Sequence, residues 1–526
     1  MGGRGAGGRI ELMDIITQRT QYTDDLVKGF MSSAKLVFIR AIPGSGKTYT
    51  ALAFAIWRAL KGDRIAIFMR TKSEIDHSLS ITAKISKELK QKGIKPPVIV
   101  PVGGKERLCR FPPENPSIIK WWCQLIRCEY LGRRKSSSLL SRIQESSPST
   151  LKEYFVIARE ERVCPYFAYQ ELCAESPIVI ATHPYLVRDD LFERLGKRDI
   201  LIIDEAHNLL KIITSRIKIE DFHIARKIAE EFGDELGRGI IRLWRSNNKA
   251  DASLLSLYEN FIESSGYRIR IKDEYIKIQP PLRLIKQRLL NVRQIFLLSS
   301  TLYPINLYKA LFARDIPSET RIIPGLFKSS KKRFYALLKL GLTSRFTDRS
   351  ERVYRNYAKV VREIVRNIDR PTLIFAPSYE FAQNLARILN IRLLSDISEP
   401  LDTSVAISVI RGRLAEGIDI TLGGEEPEIL IVTGLPYPER NEESMKIIKF
   451  YSKYYQLNFP ELLKLIEISE MLSGLIQASG RVGRRKRGAV IIIDDRLSAL
   501  RLQIQEFTSL SQLIETLNKF FSKSLP

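Results

Sequence analysis

A chain of 526 residues is too long for one hydrophobic core, so two to four domains are expected. With 44% hydrophobic residues it reads as globular, and it lacks the apolar run of roughly 18 residues that a membrane helix needs. Lys and Arg number 84 against 59 Asp and Glu, and the net charge of +25 suits a polyanionic partner, most often nucleic acid, or else serves solubility or a thermophile's surface.

In chain order, residues 1–10 (MGGRGAGGRI) have no apolar core like that of a signal peptide and are expected to be a frayed basic tail. The chain is therefore expected in the cytosol, where disulfides are rare. Lys35 to Leu60 then reads as apolar strand, Gly-containing loop and amphipathic helix. The loop segment Gly44–Ser45–Gly46 lets backbone N–H groups close around phosphate oxygens. The helix start adds its dipole, Lys47 can reach the β- and γ-phosphates, and Thr48 can ligate Mg²⁺. Ala41 stands where the strict pattern has its first Gly.

All five cysteines fall between residues 109 and 173. Cys109, Cys123, Cys128 and Cys164 suit a [4Fe–4S] cluster or a Cys₄ zinc site. Zinc sites usually use two close C-x₂-C pairs, and only one near-pair occurs here. The absence of any metal also stays open. Cys173 is read as a small buried residue that could replace Cys128. Trp121, Trp122, Tyr130, Tyr166, Phe167 and Tyr169 alternate with Arg110, Lys120, Arg127, Arg133, Arg134 and Lys135. That pattern serves either a small core or a single-strand contact surface. Ser136 to Thr150 is Ser-rich and expected to be a flexible loop.

A second apolar strand ends in Asp204-Glu205-Ala206-His207. Asp204 can hold Mg²⁺ and Glu205 can orient or deprotonate a water. The 157 residues from Lys47 to Asp204 exceed two or three βα units, about 60–100 residues. Residues 103–175 are therefore an insert. Residues 211–292 are mostly helical in pattern. A second α/β run follows and ends in Gln477, Gly480, Arg481 and Arg484, a Q-x-x-G-R-x-x-R segment whose arginines can stabilise phosphate charge. ATP between two RecA-like lobes follows from this pattern.

Together these motifs resemble the XPD family of iron–sulfur superfamily 2 DNA helicases. Matches run in order from Gln21, similar to an adenine-reading Gln, through Lys47 and Thr48, Phe68 to Ile75, Asp204 to His207, Ser299 to Pro304, Phe375, Arg411 to Ile420 with Glu416, Gly417 and Asp419, and Gln477 to Arg484. The resemblance favours the [4Fe–4S] reading, although the family usually has two residues between its middle cysteines and this chain has four. It implies a single-stranded-DNA-stimulated ATPase moving 5′ to 3′, set in DNA repair. Its partners would be single-stranded and forked DNA and repair or transcription proteins, with the chain acting as a monomer. Tyr185, Arg345 and Arg349 fall where the family meets DNA. His207 either links to the DNA side or is a buried structural residue.

The expected class is α/β: two RecA-like P-loop lobes with parallel sheets, a cysteine-rich iron–sulfur insert and a small, mainly helical Arch-like insert. The boundaries are lobe 1 at 11–102, 176–210 and 293–335, the inserts at 103–175 and 211–292, and lobe 2 at 336–526. A DinG-like enzyme of R-loops, an ATPase that remodels complexes without separating strands, and a structural binder with a dead ATPase are the rival readings.

Overall fold

The computed structural model describes residues 11–131, 138–323, 327–394, 402–410, 421–483 and 486–522. The tail at 1–10, Arg133 to Lys135, Glu416, Gly417, Asp419 and Arg484 lie outside the described residues.

Strands β1 (Leu36–Ala41), β2 (Ile65–Met69), β3 (Ile99–Pro101), β4 (Ile178–Thr182) and β5 (Ile200–Ile203) begin lobe 1. An antiparallel sheet follows, from β6 (Ile213–Lys218), β7 (Tyr267–Ile271) and β8 (Glu274–Ile278). The chain then returns to lobe 1 with β9 (Gln294–Ser299) and β10 (Ser318–Ile323). Lobe 2 holds β11 (Arg333–Leu338), β12 (Thr372–Ala376), β13 (Val405–Val409), β14 (Ile429–Val432), β15 (Gly488–Ile492) and β16 (Gln505–Phe507).

The first sheet has seven strands in the order β10-β1-β9-β5-β2-β4-β3, and the second has six in the order β13-β12-β14-β15-β11-β16. Every pairing in both is parallel. β1 is buried along its whole length, Arg40 included, which explains the apolar run Leu36–Ile39: parallel strands are covered on both faces. Crossovers in such sheets leave binding loops at the strand ends, and the P-loop leaves the end of β1.

Four sequence boundaries shift. A lobe change at 335/336 would cut β11, which pairs with β15 and β16, so the change lies between Ile323 and Arg333. The 103–175 insert is not wholly separate: Leu139, Ile143, Tyr154, Ala158, Tyr169 and Cys173 belong to the lobe 1 core. The Ser-rich stretch holds the helix Leu139–Ser146, because Leu139 and Ile143 bury its inner face. The 211–292 segment carries a three-stranded sheet besides helices, and its last helix, Pro281–Leu289, packs into lobe 1 through Leu284 and Ile285.

Candidate active site

Gly44 and Gly46 take φ values of +77° and +86°, a region that costs a side-chain-bearing residue energy. That turn hands β1 to the helix Lys47–Leu60. Thr20 closes the loop from outside, its hydroxyl donating to the Ser45 carbonyl at 2.7 Å. The Ser45 hydroxyl is buried without a partner among the described residues, an orphan that a phosphate oxygen would satisfy.

β5 delivers the acids. Thr48 Oγ1 donates to Asp204 Oδ2 at 2.8 Å. Lys47 Nζ lies 3.1 Å from Glu205 Oε1 and 3.4 Å from Asp204 Oδ1. Burial alone would lower the Lys47 pKa, but the two carboxylates outweigh it and hold the ammonium above its usual range. Burial likewise pushes Glu205 up, and Lys47 and His207 outweigh it, so this carboxylate stays well below its usual range. Both groups are therefore charged at neutral pH. Glu205 sits at φ +47°, local strain of the kind that clusters at functional positions.

Ser299 at the end of β9 joins this network. Its hydroxyl lies 2.9 Å from Glu205 Oε2 and 2.8 Å from His207 Nδ1. His183 Nε2 meets the Asp204 carbonyl at 2.9 Å, and burial lowers its pKa, favouring the neutral ring. The sequence reading placed Ser299 only at the head of the Ser299–Pro304 match and gave neither it nor His183 a contact in the site. His207 is largely buried and sits in this polar network, between Ser299 and Glu205.

Lobe 2 reaches the same loop. A Cβ added to Gly480 would stand 3.1 Å from Pro43 Cβ. Gly480 follows the helix Phe459–Ser479, which carries half-buried Gln477, and precedes Arg481, itself 8% exposed. Gln21 is exposed beside Thr20.

A second constellation lies in the 103–175 insert. Cys109, Cys123, Cys128 and Cys164 line one cavity with Lys105, Arg110, Phe111, Tyr130, Pro165 and Tyr166. Backbone N–H groups of Phe167 and Tyr166 face the Cys164 sulfur, and that of Phe111 faces Cys109. Cys173 is elsewhere, in the lobe 1 core, and burial pushes its thiol up to about 12. Among the described residues no three His, Cys, Asp or Glu side chains converge on a single metal ion.

Of three expected contact residues, one is buried, one is engaged and one is exposed. Tyr185 is buried and its hydroxyl donates to the Gly103 carbonyl at 3.1 Å, so it does not face a strand. Arg349 is held by the Ser344 carbonyl, Ser378 and Glu380. Arg345 is exposed. The aromatic side chains of the insert serve packing to a large extent. Trp121 Nε1 donates to Glu259 at 2.7 Å, and Trp122 meets Trp244 edge-on at 5.8 Å. Tyr169 is buried in the lobe 1 core. The first two contacts fasten the cysteine insert to the 211–292 segment.

A family model named DEAD_2 matches residues 69–226, and one described as Helicase C-terminal domain matches 391–512. Together they cover more than half of the chain. The ATP-dependent DNA helicase XPD of Sulfolobus acidocaldarius is 22% identical over 79% of this chain and 84% of its own length. The chain belongs to the XPD/CHL1-like family of superfamily 2 helicases. The ATP-dependent DNA helicase CHL1 of Kluyveromyces lactis is 28% identical over 35% of this chain, a match spanning only 24% of that relative. In fold, the solved structure named XPD_Helicase aligns with 93% of this chain and 98% of its own at TM-score 0.64 and 17% identity. S. tokodaii Xpd4 aligns over 93% and 100% at TM-score 0.54 and 17% identity. The two sheets are therefore RecA-like lobes. The local backbone accommodates the four residues between the middle cysteines. The helix Trp122–Leu125 and a left-handed Arg127 at φ +47° let Cys128 N–H donate to the Cys123 carbonyl at 2.8 Å. Both sulfurs return to one cavity despite the extra residues.

Proposed function

We propose that this chain is an ATP-dependent DNA helicase, stimulated by single-stranded DNA and moving 5′ to 3′, that serves DNA repair on single-stranded and forked substrates. The observation that carries this reading is the convergence of Lys47, Thr48, Asp204 and Glu205 at the P-loop, with Gly480 of the other lobe against Pro43 and Arg481 next to it in the chain. The names of the CHL1 and XPD relatives support the DNA substrate.

Gly44 to Thr48 would wrap the nucleotide phosphates, and Gln21 is our candidate for the adenine. Thr48 and Asp204 already touch, so a Mg²⁺ ion entering between them would exchange one hydrogen bond for two oxygen ligands. Lys47 now rests on the two acids. When it turns to the phosphates, Glu205 loses the neighbour that holds its pKa down and becomes a better acceptor for the attacking water's proton. Ser299 and His207 keep that carboxylate aimed. Arg481 and Arg484 would stabilise charge on the transferring phosphate, with Gln477 beside them and Asp419 contributing from lobe 2.

Cys109, Cys123, Cys128 and Cys164 fit a [4Fe–4S] cluster: four thiols share one cavity, and N–H groups face two of the sulfurs. Such a cluster would supply a rigid staple for the insert. Arg345, exposed on lobe 2, and Arg349 beside it remain candidate DNA contacts.

The test is ATP turnover with and without single-stranded DNA, together with unwinding of 5′- and 3′-tailed duplexes. Turnover raised by DNA and unwinding of the 5′-tailed substrate, both lost in Lys47→Ala, are expected. Stimulated turnover with no strand separation would replace the helicase reading by a remodelling ATPase.

A further inference from the structure

Three stretches carry the chain between the lobes. Two are connections, one between the end of β10 and the start of β11, and one at 433–441 leaving β14. The third lies inside a single helix, Phe459–Ser479. Any rotation of one lobe against the other has to be absorbed at all three.

The two ends of that helix belong to different bodies. Leu462 and Ile466 are buried in the lobe 1 core, beside Ile447, Ile448, Tyr451 and Tyr455 of the preceding helix Glu442–Tyr455. Met471, Leu472, Leu475 and Ile476 are buried in a lobe 2 core with Leu373 and Leu430. Polar contacts draw the same border. Ser469 Oγ lies 2.8 Å from Tyr308 Oη, and Glu470 pairs with Lys211, both partners in lobe 1. Tyr451 and Tyr455 donate to the Leu210 and Leu311 carbonyls at 2.8 and 2.9 Å. These buried hydroxyls anchor the hairpin to lobe 1, since each would be left unsatisfied on leaving.

One turn past the border comes the pair Ser473–Gly474. Ser473 Oγ donates back to the Ser469 carbonyl at 2.8 Å, a bond that competes with the helix ladder and favours bending. Gly474 has the highest backbone freedom in the helix, and Gly/Ser pairs are recognised kink points. Gln477, Gly480 and Arg481 follow within two turns.

We propose that Ser473–Gly474 is a flexing point within this helix. The first three turns stay fixed on lobe 1 throughout the ATP cycle, while the last turn carries Gln477 and Arg481 with lobe 2 onto the phosphates. Gly474 is thus a positioning residue acting through Arg481. This inference rests on the ATPase reading of the site.

Gly474→Ala favours the straight helix. It should lower kcat about fivefold and leave the KM for ATP unchanged, because the P-loop itself is untouched. Ser473→Ala should act in the same direction, more weakly. The second arm fixes the border directly. Lys211→Cys with Glu470→Cys, joined by a reducible bis-thiosulfonate reagent, ties the helix start to lobe 1. Turnover within twofold of the uncross-linked chain is expected, with the unsubstituted chain treated in parallel. Loss of turnover on cross-linking that returns on reduction would show the helix moving as one rod with lobe 2, and would overturn the proposal. So would wild-type kcat in a well-folded Gly474→Ala. Absence of turnover in the unsubstituted chain would instead strike the ATPase reading.

Discussion

The phosphate site and the cysteine pocket are built on opposite terms. At the P-loop the charged and metal-facing side chains have partners within the scaffold: Lys47 has two carboxylates, Thr48 has Asp204, and Glu205 has Ser299 and His207. They stand on strand ends of one parallel sheet, on the loop after β5 and on the helix that β1 feeds. In the pocket, four sulfurs come from separate short segments, and only a small cluster around Leu108, Cys164 and Tyr166 packs beneath them. The first site is organised by its scaffold. On the proposed cluster reading, the second would draw its order from the ligand.

The sharpest way to break that contrast is to disturb each site and see whether the other notices. Arg481→Ala should cost roughly 10³-fold in ATP turnover while nucleotide binding and iron content stay as they were. If turnover falls less than tenfold, lobe 2 does not complete the site. Next, Cys164→Ser should remove the iron and abolish strand separation, yet leave DNA-free turnover within about threefold, as expected for distant sites. Equal loss of both activities would mean the pocket is part of the ATPase scaffold.

Smaller effects sharpen the boundary between the two regions. Trp121→Ala should lower unfolding free energy by about 3 kcal/mol. It leaves Glu259, whose carboxyl burial already raises, without its indole donor. Denaturant unfolding followed by iron release reads this out. Finally, Cys173 should lie outside the cluster's chemistry. Its thiol stays protonated in the folded chain up to about 12. The unfolded chain ionises there from about 8.5, so stability should fall as pH rises above that value, at about 1.4 kcal/mol per pH unit. Cys173→Ala should flatten that slope between about pH 9 and 10, before tyrosines ionise, and leave iron content unchanged.

The sequence declared the phosphate site almost completely, because its chemistry demands fixed residue types at fixed spacing along strands and turns. Lys47, Thr48, Asp204 and Glu205 meet as the spacing implies. Ser299 was legible as part of a motif but its contact was not, since that depends on β9 lying next to β5, a pairing across more than ninety residues. Tyr185 misled because a tyrosine beside a core strand looks the same whether its hydroxyl meets solvent or a carbonyl. The Ser-rich stretch hid a helix because two apolar residues at helical spacing outweighed its composition. The tryptophans were ambiguous for a related reason: stacking on bases and packing between inserts call for the same side chain.

The position of β1 bears on how this molecule is made. Leu36 pairs with Ile295 of β9 and with Ser318 of β10. During synthesis at about 5–20 residues per second, the strand that launches the P-loop waits tens of seconds for its neighbours to emerge. Both inserts are complete before then. Such long sequence separation makes lobe 1 a slow folder, and its exposed strands would be the vulnerable species in a crowded cell. Growing cells should therefore lose this protein to aggregation chiefly between translation of β5 and translation of β10, so a chaperone acting in that window would raise the yield more than any change to the finished fold, and a slower ribosome there would lower it.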